Sequence, residues 1–267
     1  MTVRRNDGRV ARWALVAILL ASRSVGAAEQ LRIATYNIFV GNTDLDRSVA
    51  TILSHALDLV ALQEVTPRQA ELLDVKLAER FPYRFFPRSS HGGGVGFVSR
   101  VPLENARYLA SERGYNGFAF AECTVGGESI QVANVHLDPI RAWTLAYALT
   151  VPWQLLHQGA IHRQELAQVS AALRPRMATV VLGDLNAFAS VAAPAELTRW
   201  GLVDSFAAAR AEAARMPTHR AAIAGIPIGR RLDYIFHSAE LRTVDSVLIP
   251  GEPSDHDMVV STLELSK

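Results

Sequence analysis

The chain has 267 residues, of which 49% are hydrophobic, and its formal net charge at pH 7 is +1. This is ample for one large domain with its own core, and no internal repeat or low-complexity block is visible. The single cysteine, Cys123, excludes an intramolecular disulfide and a zinc site built from several thiolates.

The N-terminus has the organisation of a secretory signal peptide. Four arginines lie between residues 4 and 12, an apolar run follows at residues 13–21, and small residues at 26 and 28 have the spacing of a cleavage site. A membrane anchor is the alternative, but the apolar run is short for a bilayer span. We therefore expect residues 1–28 to be a signal peptide and residues 29–267 to form one domain, located in the periplasm or secreted.

Cleavage at this position would change the charge of the chain. Residues 1–28 hold five of the 27 basic residues and one of the 26 acidic residues, so the remainder carries a net charge of −3. This total does not indicate a strongly basic face for a long polyanion such as duplex DNA. Export without disulfides fits a bacterial-type periplasm or the extracellular space, where core packing must supply the stability.

The remaining chain alternates between strand patterns and helix patterns. Apolar or alternating segments predict strands at 31–38, 58–65, 94–100, 117–125, 129–137, 178–186, 231–238, 243–249 and 258–265. Helical periodicity lies between them at 46–56, 68–80, 162–173 and 193–200. Strands outnumber helices and the two types are mixed, which predicts two packed sheets with helices outside.

Polar side chains gather at the ends of these strands, where open α/β sheets place their ligand sites. In chain order they are Asn37, Glu64, His136, Asp138, Asp184, Asn186, Asp233, Asp255 and His256. Singly, each has an ordinary structural interpretation, such as a turn former or a partly buried imidazole. Asp233 is the exception, because it lies inside the apolar run "LDYIF" and requires a buried hydrogen-bond partner, for which a histidine would serve.

The combination of residue types has a chemical meaning. Glu64, with Asn37, Asp184 or Asp255 nearby, offers the hard oxygen ligands that suit Mg²⁺ or Mn²⁺. Imidazoles with carboxylate partners suit proton transfer or the stabilisation of charge on a phosphoryl group. No GxSxG motif accompanies the glycine-rich segment 91–96, which argues against a serine esterase.

Seven motifs carry a resemblance to a known family. "TYNI", "LQEV", "GVGFVSR", "NVHLD", "GDLN", "RLDYIF" and "SDHDMVV" occur here in the order found in the endonuclease/exonuclease/phosphatase superfamily, the deoxyribonuclease I-like group. The resemblance spans residues 31–265. It implies an α/β (α+β) fold, a four-layer αββα sandwich of two packed mixed sheets with helices on the outer faces, and a site at one edge of the paired sheets.

On the metal side, the resemblance implies roles for four residues. Glu64 resembles the main Mg²⁺ ligand of the family, and Asn37 lies close to it. Asp255 resembles a second carboxylate near the metal. Asp184 resembles the residue that orients or deprotonates the attacking water.

On the phosphate side, the resemblance implies roles for five further residues. Asn186 resembles the amide that positions the scissile phosphate. His256 resembles a general acid/base or phosphate-binding imidazole, oriented by Asp233. His136 resembles a second imidazole bonded to a phosphate oxygen, and Asp138 accompanies it on the substrate side.

Residues 139–160 depart from the family pattern. Many relatives begin a helix with Arg a few residues after "NVHLD", whereas the comparable segment "HRQELAQV" begins here at His162. The inserted segment contains Trp143, Tyr147 and Trp153. It is interpreted either as a lid or membrane-surface contact, or as an extra helix packed on the core.

The expected function follows from these observations together. We expect an exported, Mg²⁺-dependent phosphoesterase, with Mn²⁺ as an alternative metal, in which water attacks the phosphorus of a phosphodiester or phosphomonoester in line. Nucleic acid, a lipid headgroup and a small phosphate ester all remain open as substrates, and a monomer is expected. The alternative function is that of a non-catalytic binding scaffold with the same fold.

Overall fold

Two six-stranded β-sheets form the centre of the computed structural model. The structure describes residues 30–87, 93–113, 116–139, 150–188, 192–223 and 226–266. The signal peptide expected at residues 1–28 lies outside these ranges.

The strands and helices of the described residues have the following bounds. The strands are β1 Gln30–Asn37, β2 Leu59–Val65, β3 Tyr83–Phe85, β4 Gly94–Ser99, β5 Glu104–Ala110, β6 Gly117–Val125, β7 Glu128–His136, β8 Ala178–Asp184, β9 Val203–Asp204, β10 His219–Ile223, β11 Ile226–Arg230, β12 Asp233–His237, β13 Leu241–Ile249 and β14 Met258–Leu265. The helices are α1 Leu45–Leu53, α2 Pro67–Lys76, α3 Val151–Ala172, α4 Ala192–Arg199 and α5 Ser205–Ala209, with a 3₁₀ turn at Ala213–Arg215.

The two sheets are both mixed. The first sheet has the strand order β13-β14-β1-β2-β4-β3, and the second has the order β5-β6-β7-β8-β12-β9. Within the described ranges each contains one parallel pair, β1 with β2 and β7 with β8. Strands β10 and β11 form a separate antiparallel hairpin.

Hydrophobic clusters lie between four layers. The central cluster joins the facing sides of the two sheets, for example Ile33 of β1 and Val180 of β8. A second cluster joins the outer side of the first sheet to α1 and α2 and includes Ile52. A third joins the outer side of the second sheet to α3 and α4 and includes Leu166. The expected four-layer αββα sandwich is therefore confirmed.

The polar groups that bridge the central layer lie near one end of it. Gln63 of the first sheet donates from Nε2 to Asn134 Oδ1 of the second sheet at 2.7 Å. Asn134 Nδ2 in turn donates to the carbonyl oxygens of Leu62 and Gly96, at 3.0 and 2.9 Å. Because unpaired amides are costly in a core, these bonds favour one relative position of the sheets.

Close contact between β7 and β8 depends on one glycine. Gly183 has φ 142°, and a Cβ at this position would overlap the carbonyl oxygen of Val135 in the neighbouring strand. Only glycine fits this backbone. The parallel register that follows places His136 opposite Asp184.

Several sequence-based boundaries were wrong. Helix α3 begins at Val151 instead of His162, so the second half of the 139–160 segment belongs to a single long helix that starts near Pro152. Strands β3, β5, β9, β10 and β11 were missed because they are short or lack alternation. No helix among the described residues is long and apolar enough to cross a membrane.

Candidate active site

The parallel pairs of both sheets end at the same edge of the sandwich. Asn37 ends β1 and Glu64 lies near the end of β2, while His136 ends β7 and Asp184 ends β8. Strand β12 runs antiparallel to β8, so its first residue, Asp233, lies opposite Asp184. Strand β14 runs antiparallel to β1, so the loop that precedes it brings Asp255 and His256 to this edge as well.

Glu64 projects from an irregular position of β2. The pairing of β2 with β4 changes register between Leu62 and Val65, and Glu64 adopts a positive φ of 58° there. Glu64 Oε2 accepts from the backbone N–H of Val40 at 2.8 Å, and 22% of its side chain is exposed. The irregularity therefore turns this carboxylate from the sheet toward the cavity.

Asn37 links two carboxylates. Its Nδ2 donates to Glu64 Oε1 at 3.0 Å and to Asp184 Oδ2 at 3.1 Å, while its Oδ1 accepts from the backbone N–H of Phe39 at 3.0 Å. The Phe39 N–H fixes the amide in this orientation, because only the oxygen can accept its hydrogen bond. Asn37 therefore positions the carboxylates in this structure, and its expected role as a metal ligand would require the amide to rotate.

Asp184 and Asn186 are held by the turn after β8. Asp184 Oδ1 accepts from the backbone N–H of Asn186 at 2.9 Å, and Asp184 is 2% exposed. Asn186 has φ 47°, a conformation that Asn tolerates, and its Nδ2 donates to Leu137 O at 3.0 Å. Both residues line the same cavity.

His256 and Asp233 form a buried pair. Nδ1 of His256 lies 2.8 Å from Asp233 Oδ2, which also accepts from Thr218 Oγ1 at 2.6 Å. Nε2 of His256 lies 3.7 Å from Asp184 Oδ2. Burial opposes a charge on His256, but the carboxylates of Asp233 and Asp184 outweigh it and raise the pKa of the imidazole to about 10. His256 is therefore protonated at neutral pH.

His136 approaches Asp184 from the other side. Nε2 of His136 lies 3.6 Å from Asp184 Oδ2 and 4.0 Å from Glu64 Oε1. Its Nδ1 is buried without a hydrogen-bond partner among the described residues. Two imidazoles, His136 and His256, thus flank the Oδ2 atom of Asp184.

Asp255 pairs with a residue that the sequence did not single out. His219 Nε2 lies 3.6 Å from Asp255 Oδ2, and the His219 ring lies 4.6 Å from that of His256. Burial alone would raise the pKa of Asp255, but the hydrogen bond to His219 and the two imidazoles outweigh it and lower that pKa below its ordinary value. Asp255 is thus ionised at neutral pH.

A cavity of about 400 Å³ opens over these groups. Glu64, Asp184 and Asp255 line it, and Arg230 is the one Arg or Lys among the described lining residues. The excess of carboxylate oxygens fits a hard divalent cation such as Mg²⁺. Glu64 and Asp184 share the Asn37 amide as a hydrogen-bond donor. Among the described residues, two groups bring carboxylate and imidazole ligand atoms within 4.8 Å of one another, namely Asp184 with Asp233 and His256, and Asp255 with His219 and His256.

Asp138 lies beneath the wall of this cavity and does not line it. Its backbone N–H donates to Glu165 Oε2 at 3.0 Å, and its carbonyl oxygen lies 2.9 Å from His162 Nε2. Gln158 Nε2 donates to the carbonyl oxygens of Asp138 and Asn186, at 3.3 and 3.2 Å. Helix α3 therefore supports the two loops that follow β7 and β8. The substrate-binding role expected for Asp138 stays a prediction.

The 139–160 segment is described only in part. Residues 140–149, with Trp143 and Tyr147, lie outside the described residues. Residues 151–160 form the start of α3, which supports the interpretation as an extra helix for this half. Trp153 is 61% exposed and stacks on the ring of His157 at 4.1 Å.

Sequence reasoning missed four polar residues that line the cavity. They are Asn116, Gln158, His219 and Arg230. Asn116 is 7% exposed, and its Nδ2 has no hydrogen-bond partner among the described residues. The sequence gives little signal for them, because all four lie outside the predicted strands and the seven motifs.

Comparisons with known proteins identify relatives of this architecture. A model of the Endonuclease/Exonuclease/phosphatase family matches residues 34–256. The solved structure of TDP2 from C. elegans has 19% sequence identity and a TM-score of 0.67, over 88% of this chain and 75% of that chain. No curated protein matches the chain.

Two further solved structures have the same fold. D. rerio TDP2 in complex with a single-strand DNA product has 17% identity and a TM-score of 0.66, over 88% of this chain and 99% of that chain. An endonuclease/exonuclease/phosphatase family protein from Leptotrichia buccalis has the same identity and TM-score, over 88% of this chain and 100% of that chain.

Proposed function

Because the chain belongs to the endonuclease/exonuclease/phosphatase family, whose members hydrolyse phosphoester bonds, we propose that it is an exported, Mg²⁺-dependent phosphoesterase. One observation carries the proposal. Asp184 Oδ2 accepts from Asn37 at 3.1 Å and lies within 3.6 and 3.7 Å of two imidazole nitrogens, at a cavity with an excess of carboxylates. The carboxylate can orient a water molecule, and the two imidazoles beside it can donate hydrogen bonds to a phosphate at the same place.

The metal site is formed by oxygen ligands. Glu64 would hold Mg²⁺, with Asp255 as a further carboxylate. When bound, the cation offsets the negative charge of the phosphate and of the carboxylates. Mn²⁺ prefers the same hard ligands and would substitute for it.

Asp184 and His256 have complementary roles in the chemistry. The carboxylate of Asp184 accepts a hydrogen bond from the attacking water and orients it toward phosphorus. His256 is protonated at neutral pH, so it acts as a hydrogen-bond donor to the phosphate or to the leaving oxygen, and it is unsuited to act as a base. Asp233 holds the His256 ring in place through Nδ1.

Three amide and imidazole groups would bind the substrate phosphate. His136 Nε2 and the side chain of Asn186 face the same cavity as Asp184. Asn116 offers a buried Nδ2 donor without a partner among the described residues. Such donors suit the non-bridging phosphate oxygens, whose negative charge grows in the transition state.

The substrate class proposed first is a phosphodiester. The structure of the D. rerio neighbour contains a single-strand DNA product. A membrane-surface contact through 139–160 is a second proposal, favoured by the exposed Trp153. We propose that the mature enzyme acts as a monomer in the periplasm or outside the cell.

The test is hydrolysis of bis-p-nitrophenyl phosphate by the purified mature protein. We expect Mg²⁺ to support turnover, EDTA to abolish it, and re-addition of Mg²⁺ or Mn²⁺ to restore it. The Asp184→Ala and His256→Ala variants are expected to lower kcat by roughly 10²–10⁴ each. Full activity in EDTA would contradict the metal dependence. Phosphate binding without any turnover would favour the non-catalytic scaffold.

A further inference from the structure

The β10–β11 hairpin brings two basic side chains to the cavity. His219 and Arg230 are direct partners in the antiparallel register of this hairpin, so their side chains lie on the same face. Both residues line the cavity that holds Asp184 and His256. The His219 ring lies 4.6 Å from the ring of His256, which places this pair immediately beside the groups assigned to the scissile phosphate.

Arg230 carries a charge that the described residues do not balance. Arg220 on the same hairpin binds Asp257 through two bonds of 2.5 Å, and Arg231 binds Asp204 at 2.6 Å. Arg230 has no such carboxylate partner in the described part of the chain. Its hairpin neighbour His219 lies beside Asp255, so that carboxylate is already paired.

We propose that Arg230, beside His219, forms a second anion subsite, which binds a second phosphate of the substrate beside the one that is hydrolysed. A guanidinium presents a planar fork of donors that matches two phosphate oxygens. Arg230 therefore offers cationic donors in a cavity that is also lined by the carboxylates of Glu64, Asp184 and Asp255.

The inference rests on the proposed function and narrows its substrate. It selects phosphoesters with a second phosphate a few bonds from the scissile one, as in a nucleotide strand. A lipid with a zwitterionic headgroup carries no such group. Arg230 lies outside the seven family motifs.

A matched pair of chromogenic substrates tests the subsite. One is the p-nitrophenyl ester of thymidine 5′-phosphate, and the other is the same ester with an added 3′-phosphate. With Mg²⁺, we expect the wild-type protein to have a kcat/KM about tenfold or more higher for the 3′-phosphorylated ester, as a charge-assisted Arg–phosphate contact implies. The ratio of the two kcat/KM values is the quantity compared.

Three variants assign the preference to Arg230. Arg230→Gln is expected to reduce the ratio to about one, because the charge is lost. Arg230→Lys should keep part of it, because the charge remains and the fork is lost. Arg242→Gln is the control, since Arg242 lies on the surface and pairs with Glu264. It is expected to keep the wild-type ratio.

A binding measurement separates the subsite from catalysis. Calorimetric titration at an equal, saturating Mg²⁺ concentration is expected to show tighter binding of thymidine 3′,5′-bisphosphate than of thymidine 5′-monophosphate, and Arg230→Gln should remove the difference. Equal binding of the two nucleotides by the wild type, or a preference that survives Arg230→Gln, overturns the subsite. Failure to hydrolyse either ester overturns the proposed function instead, and the titration still decides on the subsite.

Discussion

Nδ1 of His256 and Oδ2 of Asp233 lie 2.8 Å apart, and the two residues come from different sheets. Asp233 begins β12 of the second sheet, whereas His256 precedes β14 of the first. Both side chains are buried, with exposed fractions of 0% for Asp233 and 4% for His256. The protonation of His256 therefore depends on the docking of one sheet against the other.

The first prediction concerns the charge of His256. In Asp233→Asn, the main carboxylate partner is lost while burial still opposes the charge, so the pKa of His256 should fall from about 10 toward or below its ordinary value. A histidine NMR titration of the metal-free protein measures this change. Because the protonated form of His256 would then be less favoured at pH 7, kcat is expected to fall by about 10²–10⁴. An unchanged pKa of His256 in this variant would show that Asp233 does not stabilise the protonated imidazole.

The contact between His256 and Asp233 should also make the stability of the protein depend on pH. The folded-state pKa of His256 lies above the unfolded value, so its contribution to stability is complete below the unfolded pKa and is lost as pH rises through about 10. Wild-type protein should therefore lose more unfolding free energy than Asp233→Asn between pH 7 and pH 10. Urea denaturation at the two pH values provides the comparison.

The second prediction concerns Asn37. Its Nδ2 donates to both Glu64 and Asp184, so Asn37→Ala should leave these carboxylates without their shared donor. We expect the Mg²⁺ concentration for half-maximal activity to rise about 10–100-fold, as for other groups that orient metal ligands. Asn37→Asp should be more severe, because it places a third negative charge between the two. An unchanged Mg²⁺ requirement in Asn37→Ala would remove the positioning role.

The third prediction concerns Glu165, beneath the Asp138 loop. Burial raises the pKa of Glu165 to about 7. Its contribution to stability is therefore present below the unfolded pKa and is lost as pH rises through about 7. Glu165→Gln keeps an acceptor for the Asp138 N–H and removes the titration. The variant should accordingly gain stability relative to wild type at pH 8 but not at pH 4.5, measured by urea denaturation. If the difference in unfolding free energy between the two proteins is the same at pH 4.5 and at pH 8, the prediction is wrong.

The fourth prediction compares two glycines. Gly183→Ala should destabilise severely, because the new Cβ would overlap the Val135 carbonyl and force β7 and β8 apart. Gly127 has φ 89°, and the Cβ of an alanine there would have no atom within 4 Å, so Gly127→Ala carries only the backbone strain, about 1–3 kcal/mol. Thermal unfolding of both variants should place Gly183→Ala well below Gly127→Ala. Similar melting temperatures would contradict the close packing at Gly183.

The strand ends were predictable because each places a polar group after an apolar run. Asp233 also indicated its need for a buried partner, since an isolated carboxylate among apolar neighbours is unfavourable. The structure supplies His256 and Thr218 as those partners. The four-layer sandwich followed from the mixture of strands and helices together with the order of the family motifs.

Other features depended on tertiary contacts that no local pattern reveals. The direction in which the Asn37 amide points is fixed by the N–H of Phe39, a residue with φ 65°. His219 and Arg230 lie on a short hairpin whose sequence contains proline and glycine and lacks alternation. Helix α3 begins at Val151, earlier than the His162 indicated by the family pattern, and Pro152 is accommodated in its first turn.

The position of β14 has a consequence for the timing of activity during synthesis. This strand is inserted between β13 and β1, and the loop before it carries His256. When synthesis has reached residue 237, Asn37, His136 and Asp233 are already present. His256 and strand β14, which follows it, have not yet been made. Under the proposed function, the nascent chain is therefore unable to hydrolyse phosphoesters until β14 has emerged and paired.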